Sequence, residues 1–319
     1  MRYGGYRELV IVDDGSTDDS VARVRQEFPG VRVIRNVKNL GFAESVNRGV
    51  LESQGLYVAI LNDDVEVTKG WLAPLIDEME RDLSVAACQP KLLSETRPSH
   101  FEYAGAAGGY LDAFGYPFCR GRIFWTVEED TGQYDDPVDI FWASGSAFAV
   151  RRSLFVQAHL FDSDFFAHME EIDICWRLQR MGYRIRSVPS SVVYHQGGGT
   201  LPYGDPKKNY LNHRNNLAML AKNVSFPKLI FLLGVRVVME GTEVLYWALR
   251  CDGRRALGIV RAWGWNLLHF GKTLEKKRWI NSGNQNVKAR YLPIYPGSIL
   301  FAFFFRRVVK FSQLRWTPK

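Results

Sequence analysis

The chain has four cysteines, no apolar segment at its start and no recognised nucleic-acid-binding module. Cys88, Cys119, Cys175 and Cys251 lie far apart and form no CxxC pair. That spacing argues against a zinc site or a dense disulfide framework and suits a reducing compartment. The opening MRYGGYREL has no apolar h-region, so no secretory signal is visible. The uncharged stretch Tyr291 to Phe305 carries Pro293 and Pro296, and it falls short of the roughly 20 apolar residues that a spanning helix needs. The expected location is therefore cytoplasmic, with peripheral contact on the inner face of the cell membrane left open. Internal repeats, low-complexity tracts, a P-loop and a GxGxxG fingerprint are also missing.

What is present fits an ordinary globular protein. Of 319 residues, 46% are hydrophobic and 24% charged, which argues against disorder. A net charge of +7 suits anionic partners such as nucleotide phosphates, anionic lipids or nucleic acid, without choosing among them. The basic residues are not grouped in a nucleic-acid module, which argues against the last of these.

Patterning predicts alternating strands and helices. Leu9 to Val12 is an apolar run ending at Asp13-Asp14-Gly15-Ser16, followed by a helical pattern over Thr17 to Phe28. A strand at Val31 to Arg35 precedes a helix over Gly41 to Leu51. A strand at Leu56 to Leu61 ends at Asn62-Asp63-Asp64. A helix over Trp71 to Glu80 and a strand at Val85 to Gln89 complete the series. Such alternation implies βαβ units and a mostly parallel sheet, with ligands beyond the carboxyl ends of the strands. Both acidic clusters fall at such ends. Lys91 to Pro137 reads as irregular, with β-hairpin character. Ile140 to Val150 is ordered again, Glu170 to Met181 reads as a helix, and extended segments flank Pro189. After Pro206 come helical patterns at Asn209 to Lys222, Phe226 to Leu249, Ala256 to Phe270 and Ile299 to Leu314.

The acids suggest chemistry. Carboxylates at Asp63 and Asp64 suit Mg²⁺ or Mn²⁺ shared with substrate phosphates, although Asn and Asp are also good turn residues. Asp13 and Asp14 either accept donors from a base or ribose, or cap the next helix. Glu170, Glu171 and Asp173 crowd three carboxylates into one helical turn. Crowding raises a pKa and suits a general base, while the helix dipole alone also favours acids there. His195, before Gly197-Gly198-Gly199, suits a metal or phosphate contact, or simply packing; the glycines suggest a mobile loop or close approach of backbone to a ligand.

Six segments in order resemble the family 2 glycosyltransferases, which have a GT-A fold, and specifically their rhamnosyltransferase-like branch. They are IVDDGSTDDS (Ile11 to Ser20), NLGFAESVNRG (Asn39 to Gly49), LNDDVEV (Leu61 to Val67), WASGSAFAVRR (Trp142 to Arg152), FFAHMEEIDICWRLQRMGYRI (Phe165 to Ile185) and VVYHQGGGT (Val192 to Thr200). The resemblance spans about Glu8 to His213. It implies an inverting transfer of a sugar from a nucleotide-diphosphate donor to a hydroxyl of a glycan or lipid-linked acceptor, in bacterial surface polysaccharide synthesis. Asp13, Asp14, Asn39, Gly41 and Asp63 would hold the nucleotide. Asp64 and His195 would hold a divalent metal, Mg²⁺ or Mn²⁺. Glu171 would be the catalytic base with Glu170 beside it, and Asp173 would hold the helix or orient the pair. The family's usual first strand and helix have no counterpart here. That departure implies either a native start further upstream or a decayed, non-catalytic nucleotide-sugar- or glycan-binding relic.

The expected organisation is a catalytic domain over 1–205 and a basic, aromatic-rich helical extension over 206–319. In the extension, Arg236, Arg250, Arg254, Arg255, Arg261, Arg306, Arg307 and Lys310 lie among Trp, Tyr and Phe. Helices of that composition lie in a membrane interface, or else pack on the catalytic domain or on a second subunit. A nucleotidyltransferase would share strand-end acids and a metal, but the acid cluster at Glu170 to Asp173 favours attack by an acceptor hydroxyl.

Overall fold

In a computed structural model, residues 8–197, 205–282 and 292–317 are described. The N-terminal part alternates β1 (Val10–Asp13), α1 (Ser20–Glu27), β2 (Arg32–Arg35), α2 (Phe42–Glu52), β3 (Tyr57–Leu61), β4 (Val65–Val67), α3 (Leu72–Arg81) and β5 (Val85–Ser94). Four short strands follow: β6 (Gly109–Asp112), β7 (Pro117–Cys119), β8 (Arg122–Ile123) and β9 (Thr126–Val127). Next come β10 (Val138–Ile140), β11 (Ala147–Arg151), α4 (Arg152–Gln157), α5 (Glu170–Arg180) and β12 (Arg184–His195). The chain continues with α6 (Pro206–Asn223), α7 (Phe226–Leu249), α8 (Gly253–Leu268), α9 (Phe270–Ser282), β13 (Ile294–Tyr295) and α10 (Ile299–Phe304).

The expected α/β class holds, with one correction: the main sheet is mixed rather than mostly parallel. Its order is β10-β12-β5-β11-β3, with β4 also on β12. Within it β5 and β12 pair in parallel, while β11 runs antiparallel between β5 and β3. Alternating helical and strand patterns show which segments are strands but carry no direction, so β11 could not be oriented from sequence. Among the described residues β1 pairs with β2 and β3 with β11, and no ladder joins the two units. Leu56 and Leu61, beside and on β3, are 83% and 39% exposed.

Two further expectations are corrected. The segments around Pro189 form one strand, because the register with β5 shifts between Val188 and Val192 and the shift accommodates both Pro90 and Pro189. The pattern over 299–314 is not one helix. α10 stops at Phe304, and Arg307 adopts a left-handed φ of 56° before a 3₁₀ turn at Phe311–Leu314. The hairpin character expected over 91–137 is present as β6 to β9, which pair antiparallel in sequence.

Buried charges fasten α6 and α9 to the segment that carries α5. Lys222, 2% exposed, donates to Asp162 at 2.6 Å and to Asp173 at 2.9 Å. Asp173 also pairs with Arg177 at 2.9 Å and accepts from Asn223 at 2.8 Å, so it holds the helix as one expectation had it. Burial would raise the Asp162 carboxyl, but Lys222 and Lys276 outweigh it and hold that group far below the usual range. Stability from this group is present above the ordinary aspartate pKa of about 3.9 and is lost as pH falls below it. Lys222→Met leaves Asp162 and Asp173 short of one partner each. It should cost about 3 kcal/mol in urea unfolding at neutral pH, and a loss near zero would show the network to be dispensable.

Candidate active site

Strand register builds the first half of the site. β3 ends at Leu61, the chain turns through Asn62-Asp63-Asp64, and β4 then pairs with the end of β12 so that Val65 faces His195. Asp64 Oδ1 and His195 Nε2 come within 3.0 Å, and Gln196 N–H donates to the Asp64 carbonyl at 3.1 Å. On the far side of the ring, His195 Nδ1 is 3.3 Å from Glu102 Oε2, an ion-pair contact without a well-aligned hydrogen bond. Burial alone would push this imidazole down, but the carboxylates on both sides outweigh it and hold His195 at about 9. The hydrogen bond with His195 in turn draws Asp64 down. Asp63 is exposed.

The second half is the loop Ser144–Ser146, in the segment WASGSAF. Ser146 carbonyl accepts from Asn62 N–H at 3.0 Å, which ties the loop to the Asn-Asp-Asp turn. Ser144 N–H donates to Gln89 Oε1 at 2.8 Å, and its hydroxyl donates to the carbonyl of Ala104, two residues beyond Glu102. A Cβ placed on Gly145 would stand 3.4 Å from the Phe42 ring and 3.7 Å from Glu171 Cβ. One short loop therefore touches the turn bearing Asp64, the start of α2 and the residue expected to be the base. Burial pushes the Cys119 thiol up; Arg122 opposes this, while the charges of Glu102 and Glu171 add to it.

Glu170 and Glu171 open α5 from a backbone under strain. Phe166, His168 and Met169 have φ of 65°, 71° and 72°, a conformation costly for non-glycine residues and commonest at functional sites. Burial raises both carboxyls, and the neighbouring Glu171 charge raises Glu170 further. Glu171 reaches about 7 although backbone N–H groups of Met169, Glu171 and Ile172 pull it down. The Oε2 atoms of both are buried without a protein partner. His168 beside them is lowered to about 4 by burial and then by Lys208, so it is neutral at pH 7.

The expected nucleotide residues divide. Asp14 accepts from Asn36 Nδ2 at 2.7 Å, Leu40 N–H at 2.8 Å and Gly41 N–H at 2.9 Å, so it shapes the loop before α2. Gly41, with φ of 88°, lies against Phe166, whose ring and carbonyl a Cβ would strike at 2.5–2.6 Å; only glycine fits there. Asp13 is buried, accepts from Ser16 N–H at 3.1 Å and pairs with Arg35 at 3.2 Å. Asn39 is exposed. Of the three glycines after His195, Gly198 and Gly199 lie outside the described residues. Glu102 was missed from sequence, because a lone acid in an irregular segment carries no spacing signal.

Comparisons with known proteins bear on family and fold. The model of the family described as Glycosyl transferase family 2 matches residues 3–157. The N-acetylglucosaminyl-diphospho-decaprenol L-rhamnosyltransferase of Mycobacterium tuberculosis is 30% identical over 272 residues, covering 79% of this chain and 88% of that protein. The chain is a family 2 glycosyltransferase. This glycosyltransferase is also 26% identical to human polypeptide N-acetylgalactosaminyltransferase 10 over 62% of its own length, but it spans about a third, 34%, of that longer protein. The solved structure of GalNAc-T7 with UDP, GalNAc and Mn²⁺ superposes with a TM-score of 0.50 at 18% identity, covering 67% of this chain and 41% of that one, and shares the GT-A fold.

The pair Asp64 and His195 would fit a divalent ion that displaces the Nε2 proton now shared between them. Two donors about 2.1 Å from a six-coordinate ion and at right angles lie about 3 Å apart, and these are 3.0 Å apart. Among the described residues no third His, Cys, Asp or Glu completes a cluster, so water and substrate oxygens would fill the remaining positions. Glu102 would then orient the ring from behind, as carboxylates behind metal-bound histidines do. Glu102→Gln should weaken Mn²⁺ binding at least about tenfold in an EPR titration. Unchanged affinity would remove Glu102 from that role.

Proposed function

We propose that this glycosyltransferase moves a sugar of the rhamnose class, with inversion, from a nucleoside-diphosphate donor to a hydroxyl of a diphospholipid-linked glycan. Such a step belongs to the assembly of a bacterial surface polysaccharide. The mycobacterial relative is named for that acceptor class and that sugar. The observation that most supports the reading is the contact of one loop, Ser144–Ser146, with both the Asp64 turn and Glu171. In this reading the diphosphate site and the half-buried base border the same space.

In this reading the catalytic domain spans 1–205, and 206–319 is the extension that meets the acceptor. Asp13, Asn39 and Asp63 contact the nucleotide, while Asp14 and Gly41 hold the loop that positions them. Glu171 takes the proton from the acceptor hydroxyl, and the freed oxygen attacks the anomeric carbon on the face opposite the diphosphate. Glu170, buried and raised, sits beside it without a cation and keeps the pair from being ionised together at neutral pH. A divalent ion held by Asp64 and His195 would screen the charge that builds on the departing diphosphate. No helix of the described residues is long and apolar enough to cross a membrane; this reading has a lipid-borne acceptor reached peripherally, from the cytoplasmic face.

A second reading, binding of a nucleotide sugar or glycan without turnover, is favoured by the separate ladders of β1 and β3. Transfer assays decide between the two. Asp64→Ala and Glu171→Gln should each lower kcat/KM at least about a hundredfold, the usual scale of positioned acid–base catalysis, and both variants should keep the native melting temperature within a few degrees. A wild-type protein that binds a nucleotide sugar in a thermal-shift screen with Mn²⁺ but never transfers it would support the second reading.

The raised carboxyl gives a pH signature. Glu171 works as a base only when ionised, so kcat/KM should fall as pH drops below about 7. A limb near the ordinary glutamate value of about 4.3 would remove Glu171 as the base.

A further inference from the structure

Helix α7 is inside out. Its charged residues Arg236 and Glu240 are each 1% exposed and paired, Arg236 Nε donating to Glu240 Oε1 at 2.7 Å. Arg236 also donates to Asn216 Oδ1 at 2.6 Å, and Glu240 Oε2 accepts from Trp263 Nε1 at 2.8 Å and faces His213 at 3.3 Å. Of the two expectations for the basic residues of the extension, Arg236 follows packing inside the protein rather than a membrane interface. The outer face is apolar instead: Ile230, Phe231, Val237, Val238, Leu245 and Leu249 are 56% to 76% exposed. At 100° per residue these six fall within an arc of about 120°, opposite Arg236 and Glu240. From Ile230 to Leu249 the stripe runs for about 29 Å along the helix. Contiguous exposed apolar surface of that extent marks an interaction site.

Charge selects the partner. α8, which packs on α7, exposes Leu257 and Leu268 on the same stripe as Arg254 and Arg261. The exposed charges of the α7–α8 hairpin are Lys228, Arg250, Arg254 and Arg261, all basic. Its acids are engaged elsewhere: Glu240 and Glu243 face His213, and Asp252 caps α8 and pairs with Arg255. A second copy on this face would set basic residues against basic residues. A layer with an anionic surface over an apolar interior complements both features.

We propose that the outer face of the α7–α8 hairpin docks in an anionic lipid bilayer, with the α7 stripe among the acyl chains and Arg254 and Arg261 at the headgroups. The idea rests on the reading of a lipid-borne acceptor for its purpose, and its test uses vesicles that carry no acceptor. The full chain is floated with phosphatidylcholine vesicles with and without phosphatidylglycerol. Wild type should float with the anionic vesicles. Phe231→Asp with Val238→Asp should lower the floated fraction at least about tenfold, and Arg254→Glu with Arg261→Glu should abolish the preference for phosphatidylglycerol. All four positions are exposed, so both pairs should keep the native melting temperature within a few degrees. A wild type that remains unbound, or pairs of variants that float as it does, would overturn the docking while leaving sugar transfer intact. So would a dimer in light scattering that Phe231→Asp with Val238→Asp splits, because it assigns the face to a second copy. Normal flotation with no transfer would instead count against the enzymatic reading alone.

Discussion

An imidazole wedged between two carboxylates organises the site. His195 sits at the end of the longest strand, where register with β4 sets it against Asp64 and where Glu102 closes the other side. One slip of that register would turn His195 to the opposite face of the sheet and separate all three groups. β12 is held in place by pairing with β5 along most of its length, through a bulge that accommodates two prolines. The ring is buried, so its charge balance is decided by its neighbours rather than by water.

The base side depends on different physics. α5 begins with the buried Glu170 and the half-buried Glu171, whose Oε2 atoms lack protein partners, and a chain segment in left-handed conformations delivers them. Such an arrangement is costly and persists because the surroundings over-determine it. Arg214 and Asn215 of α6 donate to the carbonyls of Phe165, Ala167 and His168, and Gly41 packs against Phe166. The ion network around Lys222 then ties α6 and α9 to the same segment. The C-terminal helices therefore act on the site by holding the strained turn, whatever their outer faces meet.

Much of this was legible in the sequence, for identifiable reasons. Apolar runs ending in paired acids located the end of β1 at Asp13 and the turn after β3 that bears Asp64, and a helix beginning with three acids located Glu170, Glu171 and Asp173. The direction of β11 was not legible, because periodicity reports faces and not strand sense. Glu102 gave no signal: its meaning comes from Ala104 and Ser144, which fold it against a histidine 93 positions away in the chain. The helix over Phe226 to Leu249 was legible as an apolar pattern with interspersed basic residues, but an apolar stripe is ordinarily the buried one. Only the buried Arg236–Glu240 pair reveals which side faces out.

The central claim is that Asp64, His195 and Glu171 face one sugar diphosphate. The most direct measurement is an anomalous difference map from crystals grown with Mn²⁺ and a nucleoside diphosphate. The account predicts a manganese peak about 2.1 Å from Asp64 Oδ1 and His195 Nε2, with the diphosphate between that peak and Glu171. A peak bound elsewhere, or a diphosphate on the side of the sheet away from Glu171, would contradict it.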